Sequence, residues 1–256
     1  MINDVIEISK EAGEIIKEGF GKNFLVETKG SLTNLVTAID KKSEKTIIDF
    51  VSKKYPTHTI IAEESGEQNR SSEYTWIIDP LDGTTNFAHG LPIFSVSIGV
   101  QKNNELICGV VYDVMRDALY SCEKGGGAFC NGRRLSVSTN DDLRKSVLVT
   151  GFPYNISENP DHALEHFTSF IKGSRAVRRL GSAAIDLCYV AEGVFDGFWE
   201  VSLNSWDMAA GVLIVNEAGG VVTDFVGNAI NIFEKKLLAS NGRVHNRMLE
   251  IIKQNS

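Results

Sequence analysis

The stretch that most limits how this chain can fold is Trp76-Ile77-Ile78-Asp79-Pro80-Leu81-Asp82-Gly83-Thr84-Thr85-Asn86. Its apolar start reads as a buried strand, and the strand delivers two carboxylates, three residues apart, to a Pro/Gly turn. Asp79, Asp82 and the Leu81 carbonyl are hard oxygen donors of the kind magnesium takes. Gly83 lets the backbone approach an anion closely. The amides of Gly83, Thr84 and Thr85 face a phosphate if a helical turn starts there. The plain alternative is a tight surface turn, since Asp-Pro and Asp-Gly are both common in turns.

Other acids decide between the two. Glu63 ends a short apolar strand, Thr59 to Ala62, and pairing of that strand with the next would bring its carboxylate near Asp79. Asp207 opens an apolar helix, Trp206 to Ala218, where an unpaired carboxylate is costly and a metal ion is a natural partner. Hydrolysis of a phosphate ester needs neutralised phosphoryl oxygens, an activated water and a stabilised leaving oxygen. Two divalent ions about 4 Å apart supply all three.

Ile2, Val5, Ile8, Ala12, Ile15 and Ile16 share one face of an N-terminal helix closed by Gly19 and Gly21. Phe24 to Lys29 alternates as a short strand, Lys29-Gly30-Ser31 turns, and Leu35-Val36-Thr37 follows. Thr37-Ala38-Ile39-Asp40 reads as a capping box, which puts Asp40 in the first turn of a helix that ends before Pro56. A polar loop is expected from Gly66 to Glu73. Three strands, Ile93 to Gln101, Leu106 to Val114 and Ala118 to Cys122, form an antiparallel meander, and a hairpin runs through Ala128 to Val137. From Asp141 onward strands alternate with helices, the latter at Asp161 to Lys172, Gly181 to Glu192, Trp206 to Ala218 and Val244 to Lys253. Residues 1–140 and 141–256 therefore read as two halves. No Pro- or Ser-rich linker divides them, so one compact unit with a cleft between the halves is expected.

Ala62-Glu63-Glu64-Ser65, Asp79 to Phe87 and Trp206-Asp207-Met208-Ala209-Ala210-Gly211 resemble the three signature segments of the inositol monophosphatase family. Gly151-Phe152-Pro153-Tyr154, Arg179-Leu180-Gly181-Ser182-Ala183-Ala184 and Glu217-Ala218-Gly219-Gly220 match its bacterial branch, so the likeness covers nearly the whole chain. The resemblance implies an α/β (α+β) fold, a layered αβαβα sandwich of the sugar phosphatase type. It implies Mg2+-dependent hydrolysis of myo-inositol monophosphates, or related sugar and polyol monophosphates, by an activated water and without a phosphoenzyme. Glu63, Asp79 and the Leu81 carbonyl would hold one ion and Asp79, Asp82 and Asp207 a second, with Glu63 helping a weaker third. The water-activating pair maps to Thr84 and Asp40, with Glu63 beside it. Gly83 and Thr84 would contact substrate, as would Gly181, Ser182, Ala183, Glu200 and Asp207. Lys29 matches a basic residue near the site. Lithium inhibition and a homodimer belong to the same implication. Related families leave fructose-1,6-bisphosphatase and nucleotide 3'-phosphatase activity as alternatives. Some bacterial members instead bind partners in transcription or RNA processing, which is a different class of function.

Composition narrows the partners. A net charge of -7 argues against extended non-specific binding to nucleic acid. It does not argue against phosphate substrates, because bound divalent cations reverse the local field. Cys108, Cys122, Cys130 and Cys188 contain no C-x-x-C pair, and no disulfide framework or zinc ribbon is expected. The chain shows no secretory signal and no apolar run of membrane-spanning length, so a cytoplasmic protein without a membrane partner is expected. His162-Ala163-Leu164-Glu165-His166 fits the H-x-x-E-H zinc pattern if both histidines share a helical face. The adjoining Phe167, Phe170 and Ile171 read more simply as the core face of that helix. His89 reads as a loop histidine. Gly125 to Gly127 lacks the spacing of nucleotide loops and reads as part of a hairpin. Arg175, Arg178 and Arg179 fit either a second phosphate or acids at the surface or a subunit interface.

Overall fold

The structure is a computed structural model, and it describes residues 1–22, 26–28 and 35–255. Helix α1 spans Ile2–Gly19; the short strands β1 (Val26–Thr28) and β2 (Leu35–Thr37) pair antiparallel and lead into α2 (Ala38–Lys54). The first large sheet contains β3 (Thr59–Ala62), β4 (Gly66–Gln68), β5 (Tyr74–Asp82), β6 (Ser95–Lys102), β7 (Glu105–Asp113), β8 (Ala118–Glu123), β9 (Gly127–Cys130) and β10 (Arg133–Arg134), and the five-residue α3 (Thr84–Ala88) follows β5. Its order is β10-β9-β8-β7-β6-β5-β3-β4, antiparallel apart from the parallel pair β3 and β5. The second sheet contains β11 (Val147–Thr150), β12 (Ala176–Arg178), β13 (Gly197–Val201), β14 (Val221–Thr223) and β15 (Lys236–Ser240), in the order β12-β11-β13-β15-β14. Around it lie α4 (Ala163–Gly173), α5 (Ala183–Ala191), α6 (Ser205–Glu217) and α7 (His245–Gln254).

The layering follows from the period of two along each strand. In β5, Trp76 and Ile78 join α1 residues Val5, Ile8, Ala12 and Ile16 and α2 residues Ile47 and Val51, whereas Ile77 points the other way, into a cluster with α5 and α6. In the second sheet, Val149, Phe198 and Leu237 meet that same central cluster, while Leu148, Trp199 and Leu238 pack with α4 and α7. Three apolar clusters, the central one spanning both faces of α5 and α6, thus bind five layers: α1 and α2, the eight-stranded sheet, α5 and α6, the five-stranded sheet, α4 and α7. This is the αβαβα sandwich that the resemblance implies. Helix α6 is buried from Met208 to Val215, as expected for a helix between two sheets. All four cysteines are buried and free. Among the described residues no helix is long and apolar enough to cross a membrane.

Several local expectations need correction. The stretch from Gly66 to Glu73 is not loop throughout, because Gly66–Gln68 pairs antiparallel with β3; as an edge strand it needs no apolar pattern, which is why its polar sequence hid it. Strand β5 does not stop at Ile78 but continues through the motif to Asp82. Helix α4 starts at Ala163, since Asp161 and His162 adopt left-handed backbone angles with φ of 51° and 57°. His162 is exposed and His166 is buried edge-on against Phe225, so the two histidines do not share a helical face. Lys29, Gly30 and Ser31 lie outside the described residues.

Candidate active site

Two acids three residues apart would normally face opposite sides of a strand. Here β5 carries a bulge: Asp79 opposes Ser97 and Asp82 opposes Ser95, so Pro80 and Leu81 together face the single residue Val96. Proline cannot donate to the ladder, and the bulge is where a sheet tolerates it. The extra residue restores the phase and brings both carboxylates to one side. The parallel register Ala62↔Ile78 then places Glu63 beside Asp79, with the Glu63 amide donating to the Ile78 carbonyl at 3.2 Å. At the end of β5 the chain turns at Gly83, with φ of 97°. A Cβ there would lie 3.0 Å from the Ile93 carbonyl oxygen and 3.2 Å from that of Gly181, so both backbone angle and space call for glycine.

Helix α2 holds this loop from behind. The expected capping box is present: the Thr37 amide donates to Asp40 Oδ2 at 2.9 Å. Asp40 Oδ1 accepts from Thr84 Oγ1 at 3.0 Å, and Thr84 Oγ1 lies 3.0 Å from the Leu81 carbonyl as well. The same face of α2 presents Ser43, whose hydroxyl donates to the Pro80 carbonyl at 2.9 Å, and Glu44, whose Oε2 accepts the Glu64 amide at 2.7 Å. Residues 40, 43 and 44 therefore fix Thr84, the bulge and the Glu63 turn. Sequence reading missed Ser43 and Glu44 in this role; three buried polar residues at helical spacing were the available signal.

The second half of the chain closes on the same acids. Asp82 caps the start of α5: its Oδ2 accepts from Ser182 Oγ at 2.5 Å and from the Ala184 amide at 2.8 Å, and its Oδ1 from the Ala183 amide at 3.3 Å. Asn86 Nδ2 donates to the carbonyls of Ile93 and Leu180, each at 2.8 Å, tying the two halves together. Asp207, in the first turn of α6, accepts the Asn204 amide at 2.7 Å. Glu200 lies so close over Gly151 that a Cβ on that glycine would sit 2.2 Å from both carboxylate oxygens.

A cavity of about 450 Å³ joins these parts. Glu63, Asp79, Leu81, Asp82, Gly83, Thr84, Gly181, Ser182, Ala183, Glu200 and Asp207 all line it. Asp40 stands behind, reaching it through Thr84. Arg179 lines the cavity, whereas Arg175, Arg178 and His89 are exposed and do not.

Burial, followed by the charges of Glu63, Asp82 and Asp207, pushes the Asp79 carboxyl well above the usual range. Burial pushes Asp82 up to about 6 against the pull of its Ser182 and α5 donors. Asp207 is also pushed well above its usual range, by burial first and by Glu63 and Asp82 next. Burial and the same group of acids raise the Tyr154 hydroxyl at the cavity mouth. Acids crowded against one another in this way favour a bound cation. The donor set, carboxylates and one main-chain carbonyl, is the hard-oxygen set that suits Mg2+. Among the described residues no group of three or more His, Cys, Asp or Glu side chains is drawn together closely enough to hold a metal ion by itself. Mg2+ keeps several waters and takes few protein ligands per ion, so an open set fits it.

Comparison with known proteins agrees with this architecture. The model of the inositol monophosphatase family matches residues 1–256. The chain is 44% identical over 257 residues to the chloroplastic phosphatase IMPL1 of Arabidopsis thaliana, covering 97% of this chain and 69% of that protein. It is also 44% identical over 254 residues to Nus factor SuhB of Pasteurella multocida (strain Pm70), covering 98% of this chain and 95% of that one. The solved structure of inositol monophosphatase from Anabaena (Nostoc) sp. PCC 7120 superimposes with a TM-score of 0.90 at 39% identity, over 100% of this chain and 96% of that chain. Motif order, layering and a family match along the full length lead to one assignment: the chain belongs to the inositol monophosphatase family.

Proposed function

We propose that the protein is a Mg2+-dependent phosphatase that hydrolyses monophosphate esters of myo-inositol or a related polyol or sugar. The observation that carries this reading is the gathering of Glu63, Asp79, Asp82 and Asp207 around one cavity, with the Thr84 and Asp40 hydrogen bond at its edge. Divalent ions, when bound, neutralise the phosphoryl oxygens and make the attacking water more acidic. Asp79, Asp82, Asp207, Glu63 and the Leu81 carbonyl are the groups that would hold them. Thr84 Oγ1 orients the water by hydrogen bonding, and Asp40, anchored by the capping box, receives its proton. The amides of the first turn of α3 have no acceptor within the helix and suit a phosphate oxygen. Residues after 141 complete the site, with Gly181, Ser182, Ala183 and Glu200 receiving the polyol.

The test is a panel of substrates with and without magnesium: inositol monophosphates, fructose 1,6-bisphosphate and adenosine 3',5'-bisphosphate. We expect magnesium-dependent phosphate release that is fastest with inositol monophosphates; preference for either bisphosphate would reassign the substrate class.

A second reading has its own support. The Pasteurella multocida relative is named a Nus factor, which favours an added role in binding a transcription partner. Such binding should survive Asp82→Asn, and loss of both activities together would count against two separable functions.

A further inference from the structure

The cavity holds a second carboxyl at its polyol end. Asp186, in the first turn of α5, lines the cavity yet is only 1% exposed, and its Oδ1 has no hydrogen-bond partner among the described residues. Buried carboxyl oxygens are nearly always matched with a donor. The charged groups that act on it are Glu200 and Asp82, which oppose its ionisation, and Arg179, which favours it. Glu200 faces the same cavity from β13, packed flat on Gly151. Asp186 and Glu200 thus line one cavity and feel each other's charge, and the Asp186 Oδ1 lacks a donor. A substrate hydroxyl entering the cavity is a donor that could satisfy this oxygen.

We infer that Asp186 is a specificity-determining residue: with Glu200 it accepts hydrogen bonds from hydroxyls of the leaving group, so that polyol phosphates are selected over esters whose leaving group has no hydroxyl. This rests on the phosphatase reading. The plain alternative is an acid favourable to the α5 dipole, which would affect folding and not substrate choice. Burial and Glu200 push the Asp186 carboxyl well above the usual range, so its carbonyl oxygen, present in either protonation state, is the acceptor that matters.

The experiment compares kcat/KM for inositol 1-phosphate and p-nitrophenyl phosphate, in magnesium, for wild type, Asp186→Leu and Asp186→Asn. Leucine matches the aspartate in shape and removes both oxygens; Asp186→Ala replaces it should the leucine variant fail to fold. For Asp186→Leu we expect a loss of about tenfold or more on inositol 1-phosphate, mainly in KM, the effect of one or two lost hydrogen bonds. Turnover of p-nitrophenyl phosphate should stay within about threefold of wild type, because its leaving group donates nothing. Asp186→Asn keeps a carbonyl acceptor and should recover most of the loss. Equal losses on both substrates, or an unchanged ratio, overturn the inference. No magnesium-dependent turnover of either substrate by the wild type would instead overturn the phosphatase reading beneath it.

Discussion

Glu44 is 4% exposed, and its carboxylate binds the backbone of the turn that carries Glu63. Burial raises its pKa, while the Glu64 amide and Ser65 pull it down. Those donors favour the carboxylate over an amide. We expect Glu44→Gln to fold but to lose about tenfold to a hundredfold in activity or magnesium affinity, the usual cost of disturbing a group that orients a metal ligand. A titration of phosphate release against magnesium checks this; an unchanged curve would remove Glu44 from the site. Individual residues differ in how legible they were. Asp79, Asp82, Glu63 and Asp207 were readable because each sits at the end of an apolar run, where an acid is out of place unless it has work there. Glu44 and Asp186 were not, because each lies inside a helix and its place at the site is set by packing: Glu44 meets the Glu64 amide, and Asp186 faces the cavity that Glu200 also lines.

At the scale of elements, α2 is the piece on which the site depends most. Its capping box was legible from Thr37-Ala38-Ile39-Asp40, and the structure gives Asp40 two tasks, closing the cap with Thr37 and accepting from Thr84. Removing the cap should therefore cost both stability and rate. We expect Thr37→Ala to destabilise by about 1 kcal/mol, lowering Tm by about 3 °C, and to slow turnover as well. A variant that loses stability with full activity would separate the cap from the proposed role of Thr84 and Asp40. The bulge in β5 was not legible, because a period-two reading ends the strand where the alternation fails. Pro80 was the clue, since a proline inside a continuing strand demands a bulge or an edge. The edge strand β4 escaped for the opposite reason: it has no apolar face to announce it.

For the whole molecule, element order suggested two halves and the family likeness the five layers, while the meeting of the halves depends on contacts that no local pattern carries. Asp82 on the start of α5 and Asn86 on the Leu180 carbonyl are such contacts. The meeting has a price in charge. Without a cation, Asp82 titrates at about 6 against its ordinary 3.8 and Glu200 at about 8 against 4.5. Both hold protons in the fold that the unfolded chain has released, so stability of the metal-free protein falls as pH rises, through about 6 for Asp82 and about 8 for Glu200. His245 acts at the other end: burial lowers it from 6.5 to about 4, so stability falls as pH drops through that window. If these carboxylates hold magnesium, the ion competes with protons for them. We expect the gain in Tm on adding magnesium to be larger at pH 8 than at pH 6, measured by thermal unfolding; an equal gain would mean that the acids are not the metal's ligands.

The most direct measurement is phosphate release from inositol 1-phosphate by wild type and Asp82→Asn, each with and without magnesium. If Asp82 belongs to a set of acids that holds the ions for hydrolysis, wild type is active only with magnesium, and the variant, folded to the same Tm within a few degrees, is slower by about a hundredfold or more. Near-normal turnover by Asp82→Asn, or wild-type turnover that needs no divalent ion, would contradict it.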